Sequence, residues 1–266
     1  MDLSRLAVHT ITNRPWSPRE CIEHYAEAGV RGITFWRRDF EGVEPDWLGK
    51  TARDAGLVIN ALARGGFFTS EGWWDDNRRA LEEAAAAGAP QLVLVCGGCH
   101  DQTLETARAV IAERLATLLP LALAAGVKLA LEPLHPMYAA ERSALNTIAQ
   151  AHALCEALGS PSGLGIAVDV YHTWWDPDLE PGIERAAQLN RLFAVHVCDW
   201  ITPTTDLLND RGLMGEGCIP LRTITAACER AGFGGFYEVE IFSNRWWATP
   251  QEAYLSEITR AFSACL

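Results

Sequence analysis

The sequence predicts an α/β fold, a single (β/α)8 TIM barrel with a parallel eight-stranded sheet. Apolar strand-like runs alternate with helical patterns along the whole chain, which is typical of successive βα units around a parallel sheet. Eight such units fit into 266 residues, close to the ~250 that are usual for this barrel. No strand is followed by a glycine-rich phosphate-binding motif, which disfavours the nucleotide-binding forms of an open doubly wound sheet.

The predicted strands are short apolar runs that end in glycine or in polar residues. In order along the chain they cover 6–10, 32–36, 57–63, 91–96, 127–132, 164–169, 192–198 and 235–242. The fourth run is apolar without interruption, as expected of a strand that is buried on both faces. A loop, Arg64-Gly65-Gly66, is predicted after the third strand, and a long loop over 199–217 after the seventh.

The predicted helices fill the intervals between these strands. A first helix begins after Ser17-Pro18, where a capping residue precedes a proline, and Gly29 ends it. The later helices cover 45–55, 75–87, 104–125, 143–158, 182–190, 221–231 and 250–264. No linker, repeat or low-complexity tract interrupts the series, so residues 1–266 are predicted to form one domain.

Composition limits the partners of the protein. The formal net charge is −12 and the pI is near 5.0, whereas nucleic acids and anionic membranes select for surfaces rich in lysine and arginine. No run reaches the ~18 apolar residues of a membrane span, and the start lacks a signal-peptide pattern. We therefore expect a cytoplasmic protein that binds a small molecule. The sequence shows no basic cluster, which disfavours a doubly phosphorylated substrate.

Cysteine usage suggests no disulfide framework. Four of the eight cysteines stand singly within helical patterns, where a buried thiol behaves as a small hydrophobic group. Cys96 and Cys99 form a C-x-x-C pair followed by His100, but no second pair exists to complete a zinc site. The role of this pair stays open at the level of sequence, and structural disulfides are unusual in a cytosolic chain of this size.

Four predicted strands end on residues that can bind a metal. Glu132, Asp169, His196 and Glu240 stand at or near the ends of strands five to eight. Because all strand C-termini of a parallel barrel lie on one face, these side chains are expected to meet at its mouth. Their oxygen-rich set with one imidazole suits a single divalent ion, Mn²⁺ foremost, with Mg²⁺, Co²⁺ and Zn²⁺ as alternatives. One such residue is often only a helix cap, but four in order favour a metal site.

The motifs LALEPL, VDVYH, VHVCDW and YEVEIF carry these four residues in this order. They resemble the metal-binding strand ends of the xylose isomerase-like TIM barrel superfamily, in the sugar phosphate isomerase/epimerase branch, and the similarity spans nearly the whole chain. The resemblance implies that the four residues hold one divalent ion and that Glu132 and Glu240 are the acid/base pair. It also implies that His172, three residues beyond Asp169, contacts the substrate.

Two further segments concern the substrate. The stretch 210–217 resembles the loop after strand seven in relatives, where a basic residue, here Arg211, lies over the substrate. The epimerases of the branch place a second glutamate shortly after the one that matches Glu132, within an asparagine-rich motif. This chain reads LHPMY in that region, so His135 or Tyr138 is expected to replace that glutamate.

Aromatic and basic residues are also predicted at the mouth. Ten tryptophans are many for this length, and several, including Trp36, lie near predicted strand ends. They would suit a cyclic or aryl-bearing carbohydrate, although packing of loops or a homo-oligomer interface would use the same residues. His9, at the end of strand one, and Arg37-Arg38, after strand two, are placed at the same mouth, so His9 and Trp36 are candidate substrate-binding residues.

The leading hypothesis is a divalent-metal-dependent isomerase or epimerase of a carbohydrate or keto-sugar. Proton abstraction beside a carbonyl leaves an enediolate that a metal stabilises, and Glu132 and Glu240 can flank it as base and acid. The alternative is a metal-dependent lyase with the same site, either an inosose-type dehydratase or an eliminating deglycosidase of oxidised glycosides. The acidic charge disfavours a nuclease of the apurinic-site type. A non-catalytic sugar-binding role is the remaining option.

Overall fold

Eight parallel strands close into a barrel in the computed structural model, which describes residues 1–266. The strands are β1 (Leu6–His9), β2 (Gly32–Trp36), β3 (Val58–Gly66), β4 (Gln91–Val95), β5 (Lys128–Leu131), β6 (Leu164–Asp169), β7 (Leu192–Val197), β8 (Asp199–Trp200), β9 (Arg211–Gly212) and β10 (Tyr237–Val239). In the barrel, β1 pairs with both β2 and β10, which closes the sheet. Strands β8 and β9 form a separate antiparallel ribbon. The predicted (β/α)8 barrel is confirmed.

Helices connect the barrel strands. They are α1 (Pro18–Glu27), α2 (Pro45–Asp54), α3 (Trp73–Ala87), α4 (Leu104–Ala124), α5 (Ile148–Ala157), α6 (Val170–Thr173), α7 (Leu179–Gln188), α8 (Leu221–Arg230), α9 (Asn244–Trp247) and α10 (Gln251–Cys265). The cap predicted for α1 is present, because the Ser17 side chain accepts a hydrogen bond from the Glu20 N–H and the Glu20 carboxylate accepts one from the Ser17 N–H. No helix combines the length and the apolar character that crossing a bilayer requires.

Two predictions about loops are wrong in detail. Arg64-Gly65-Gly66 was expected to be a loop but belongs to β3, where Gly65 pairs with Leu94 and Gly66 with Val95. Glycine signals a loop in sequence, but here it permits close strand contact, since a Cβ on Gly66 would lie 2.1 Å from the Val95 carbonyl oxygen. The predicted loop over 199–217 contains the β8–β9 ribbon, whose pairing joins segments too short to show a strand pattern.

The apolar core has two parts. A large cluster fills the space between the sheet and the helices, and a small one occupies the barrel interior. The interior cluster consists of Ala61, Val93, Ala130, Ala167 and Ala194. Side chains two residues apart on a strand face the same side, so these small residues lie one layer below the polar residues that end the strands. The barrel interior is thereby filled at the level below the mouth.

Candidate active site

The four metal-binding candidates lie together at the C-terminal mouth of the barrel. Donor atoms of Glu132, Asp169, His196 and Glu240 all lie within 4.8 Å of one another, and all four side chains are buried. Strand pairing brings them together, since Asp169 of β6 pairs with His196 of β7. Glu132 follows the last residue of β5, and Glu240 follows that of β10. Residues far apart in sequence thus face one point.

The surroundings of His196 show how negative this cluster is. Its Nδ1 lies 2.9 Å from Glu132 Oε1, and its Nε2 lies 3.9 Å from Glu238 Oε1. Burial by itself lowers the pKa of His196, but the hydrogen bond to Glu132 and the charges of the nearby glutamates raise that pKa to about 10. These carboxylates would stabilise a cation in this buried space.

Arg211, carried by β9, lies over the carboxylates. Its Nη1 donates to Asp169 Oδ2 at 3.0 Å and to Glu240 Oε2 at 2.9 Å, while its Nη2 lies 3.2 Å from His172 Nε2. Burial raises the pKa of Asp169 to about 7, against the effect of Arg211. Burial also acts to raise the pKa of Glu240, but the charges of His9 and Arg211 hold that pKa well below its usual range. Glu240 therefore stays ionised more easily than Asp169.

A second polar layer lies beneath this cluster. Glu238, two residues before Glu240 on the same strand face, is fully buried. Its Oε2 accepts a hydrogen bond from Thr34 Oγ1 at 2.5 Å and lies 3.1 Å from His9 Nε2. The Nδ1 of His9 in turn lies 3.0 Å from Glu240 Oε1 and 3.2 Å from Trp36 Nε1. His9 therefore links the lower glutamate to the upper one.

A narrow cavity opens above the carboxylates. Six predicted site residues are among those that line it: Trp36, Glu132, Tyr138, His172, Arg211 and Glu240. Its free volume of about 20 Å³ has room for roughly one water molecule, so a carbohydrate can enter only if lining side chains move. The Tyr138 hydroxyl donates to the Leu207 carbonyl at 2.7 Å, which ties the rim of this cavity to the loop before β9.

Two predicted substrate-binding residues do not line this cavity. His9 is fully buried behind Glu240. His135 is partly buried, and its ring packs 5.6 Å from that of Trp175 and 5.2 Å from that of Trp200, measured between ring centroids. Neither histidine thus lines the inner cavity, which neither residue's position in the sequence could reveal.

The tryptophans mainly pack loops against the barrel. Trp200 stacks on Tyr171 with ring centroids 4.5 Å apart, and Trp246 stacks on Tyr254 at 4.7 Å. Only Trp36 among the tryptophans lines the inner cavity. Of the two roles considered from sequence, loop packing therefore accounts for more of these residues than stacking on a sugar.

Comparison with known families identifies the chain. The family model described as xylose isomerase-like TIM barrel matches residues 22–264. The chain belongs to this family. The family resemblance deduced from the strand-end motifs is thereby confirmed. No curated protein matches the chain.

Solved structures agree with this family. Protein SMc04130 from Sinorhizobium meliloti 1021 is 42% identical, with a TM-score of 0.94 and 99% of each chain covered. The IolI protein with a binding zinc atom is 20% identical, with a TM-score of 0.82, covering 97% of this chain and 96% of that one. The 3-keto-D-glucoside 4-epimerase YcjR from E. coli is 17% identical, with a TM-score of 0.78, covering 98% and 99%. The last two share the fold.

The donor set of this xylose isomerase-like barrel fits a divalent cation. Three carboxylates and one imidazole provide hard ligands, and ligands about 2.1–2.3 Å from an ion stand at most ~4.2–4.6 Å apart, close to the spacing found here. Beneath them, His196 Nε2 and Glu238 Oε1 are buried atoms without hydrogen-bond partners that face each other. A carboxylate behind a histidine ligand is the usual arrangement that orients the ring toward a metal.

The C-x-x-C pair takes no part in this cluster. Cys96 is fully buried and Cys99 partly so, and all eight cysteines are free thiols. Burial raises the pKa of Cys96 far above that of an ordinary thiol, so this group stays protonated and unreactive.

Sequence reasoning missed three polar residues of this region. Glu238 could have been found from the E-x-E pattern, since it shares a strand face with Glu240. Arg64 and Arg142 also line the inner cavity, although the sequence showed no basic cluster. They are 78 positions apart, and no local pattern in the sequence connects them.

Proposed function

We propose that residues 1–266 form one catalytic domain, a divalent-metal-dependent isomerase or epimerase that acts on a carbohydrate or keto-sugar. The observation that carries the proposal is the convergence of Glu132, Asp169, His196 and Glu240 within 4.8 Å at the barrel mouth. In a (β/α)8 barrel this face is where active sites are built. A purely structural role does not explain why four ionisable groups are buried together at this position.

The residues divide the work between binding and proton transfer. Glu132, Asp169, His196 and Glu240 would hold the ion, which when bound supplies a Lewis acid for substrate oxygen atoms. Glu132 and Glu240 approach the cavity from β5 and β10 and line it, so one can accept a substrate proton and the other return one. Return to the opposite face of the same carbon inverts it, whereas return to the neighbouring carbon exchanges carbonyl and hydroxyl positions.

Other residues of the chain prepare the glutamates for this role. The charges of His9 and Arg211 hold Glu240 in the ionised form that accepts a proton. The pair formed by Arg211 and His172, 3.2 Å apart, presents hydrogen-bonding groups to substrate oxygens beside the same carboxylates. The narrow cavity limits water beside the group that carries the proton, since it has room for only about one water molecule.

Names of structural neighbours support the proposed reaction class. YcjR is a 3-keto-D-glucoside 4-epimerase, and another neighbour is a D-allulose 3-epimerase from Methylomonas sp.. The IolI neighbour carries a zinc atom. Each shares the barrel with this chain, and sugar epimerisation with a divalent ion is the chemistry that the strand-end residues support here.

The test measures solvent deuterium uptake by a panel of ketoses, keto-glycosides and inososes, read by mass. We expect uptake at one carbon of one substrate class, loss of that uptake after metal removal, and recovery with Mn²⁺ or Co²⁺. Glu132→Gln and Glu240→Gln should slow exchange by about 10²–10⁴-fold, whereas Glu105→Gln, on the exposed face of α4, should not. Full exchange in excess chelator, with no metal retained, would contradict the proposal. A product lighter by water or by an aglycone would identify a lyase.

A further inference from the structure

A second, larger cavity leads from solvent to the inner one. Its volume is about 510 Å³, enough for a small carbohydrate, and it shares Trp36, Ala63, Arg64, Leu208 and Phe242 with the lining of the inner cavity. Arg14, Arg37 and Arg38 also line it. Together with Arg64, Arg142 and Arg211 further in, arginines follow the whole route to the carboxylates. This concentration of positive charge stands in contrast to the net charge of −12.

Arg64 lies at the junction of the two cavities and has no partner. Its Nε is buried without a hydrogen bond, and no carboxylate oxygen lies within 4.0 Å of its guanidinium group. The guanidinium carbon lies 4.3 Å from the centre of the Phe67 ring and 5.8 Å from that of Trp36. Burial lowers the pKa of Arg64 to about 10, and the nearby charge of Arg142 acts in the same direction.

The backbone that carries Arg64 is held firmly. Asn77, fully buried on α3, accepts a hydrogen bond from the Gly66 N–H at 2.7 Å and donates to the Gly66 carbonyl at 2.7 Å. Arg64 is therefore presented by a fixed strand end and not by a mobile surface loop. A buried guanidinium nitrogen without a hydrogen-bond partner costs free energy, and a bound ligand can supply that partner.

Arg142 provides a second unpartnered guanidinium in the inner cavity. Its Nε is buried without a hydrogen bond, no carboxylate lies within 4.0 Å, and its guanidinium carbon lies 5.4 Å from the centre of the Tyr138 ring. Its carbonyl accepts a hydrogen bond from the Gly97 N–H at 2.9 Å, which ties this residue to the segment after β4. Arg64 thus reaches the cavity from the end of β3, and Arg142 reaches it from the loop after β5.

The charges of the carboxylate cluster do not require these two arginines. Glu132, Asp169 and Glu240 carry three negative charges, which a divalent ion and Arg211 balance. Glu238 is paired with His9 one layer below. Arg37, at the outer cavity, is paired with Asp76 and Glu83. Arg64 and Arg142 remain as positive charges without a counter-charge once the ion is bound.

We infer that the substrate is a carbohydrate that carries an anionic group, a carboxylate or a phosphate, bound by Arg64 and Arg142 while its carbonyl end faces the metal cluster. This inference rests on the proposed function for the orientation of the substrate. Guanidinium groups match the planar oxygens of a carboxylate and the oxygens of a phosphate, and charge-assisted hydrogen bonds form most strongly in such enclosed sites. Arg14 and Arg38, which line the outer cavity, would also attract such an anion from solvent.

The test compares three probes that share one carbon skeleton: D-glucose, D-glucuronate and D-glucose 6-phosphate. Binding of each probe to the Mn²⁺-loaded protein is measured by calorimetry, after Mn²⁺ binding itself has been measured. We expect one anionic probe to bind at least about ten-fold more tightly than glucose. Arg64→Met and Arg142→Met should each remove most of this preference, Arg64→Lys should retain part of it, and Arg31→Met, at the exposed N-terminal end of β2, should leave it unchanged.

The outcomes separate this inference from the proposed function. If Mn²⁺ binds but the three probes bind equally, the substrate is not anionic and the inference is wrong. If the preference survives in both methionine variants, the anion binds the metal directly and the arginines are not its site. If Mn²⁺ does not bind, the proposed function fails, and an arginine-dependent preference in the metal-free protein would still support an anion site. Circular dichroism of each variant shows whether it is folded.

Discussion

Replacing Glu238 by glutamine tests whether the buried lower layer positions the metal cluster. The substitution preserves the shape of the side chain and removes its charge. Glu238 Oε2 contacts Thr34 Oγ1 at 2.5 Å and His9 Nε2 at 3.1 Å, while its Oε1 faces His196 Nε2 at 3.9 Å. Because Glu238 does not line the cavity, it acts only through the two imidazoles. It is a positioning residue in this scheme.

The expected magnitude follows from these contacts. A hydrogen bond with one charged partner contributes about 1.5–3 kcal/mol and a neutral one about 0.5–1.5, so the contact with His9 should weaken by about 1–2 kcal/mol. Loss of the carboxylate behind a histidine ligand lowers metal affinity by about 10–100-fold.

Two measurements on the same samples test this expectation. Calorimetric titration with Mn²⁺ gives metal affinity, and urea denaturation of the metal-free protein gives the free energy of unfolding. Glu252→Gln, at an exposed position of α10, serves as the matched control and should change neither value. Loss of stability with unchanged Mn²⁺ affinity would show that Glu238 only supports the fold. That result would refute its positioning role.

Two further predictions concern the scaffold around the mouth. Burial raises the pKa of Asp39 from 3.8 to about 6, so the Asp39 carboxyl group holds its proton more tightly in the folded protein than in the unfolded chain. The stability that this protonated group contributes is present below pH 4 and is lost as the pH rises through 6. The free energy of unfolding of Asp39→Asn, measured by urea denaturation, should therefore rise relative to that of the wild type by up to about 3 kcal/mol between pH 4 and 7. A difference between the two proteins that does not change with pH would contradict this. Asn77→Ala leaves the Gly66 backbone groups unpaired and should destabilise the protein by about 2–4 kcal/mol, with Asn209→Ala, a partly exposed residue, as control.

Strand patterns were sufficient to predict the barrel and most of its elements. The predicted bounds of β2 and β6 agree with the structure at both ends, because each is a compact apolar run between clear turn signals. Errors occurred where tertiary contacts override local signals. Arg64-Gly65-Gly66 reads as a turn, yet β4 lies beside it and pairs with both glycines.

The residues of the candidate site differ in how far sequence could place them. Glu132, Asp169, His196 and Glu240 stand at strand ends, and the rule that parallel strands share one carboxyl end converts those positions into proximity. His9 follows the same rule, but only the structure shows it one layer back, bonded to Glu238 and Glu240. Position along a strand predicts which end a residue occupies, and side-chain packing decides whether it reaches the cavity.

The metal-binding candidates were thus predictable. Each stands at the end of a strand that its own local pattern indicates, and one topological rule places those strand ends on the same face. The positions of Arg64 and Arg142 beside the inner cavity were not predictable. Arg64 lies in a part of β3 whose glycines indicate a loop in the sequence, and Arg142 lies in the loop after β5. Their approach depends on the hydrogen bond that the Asn77 side chain accepts from the Gly66 N–H and on the one that the Arg142 carbonyl accepts from the Gly97 N–H. Long-range contacts of this kind have no periodic signature in sequence. The proposed reaction class therefore rests on residues of the strand ends, whereas the proposed anionic charge of the substrate rests on side chains that only the folded structure brings to the mouth.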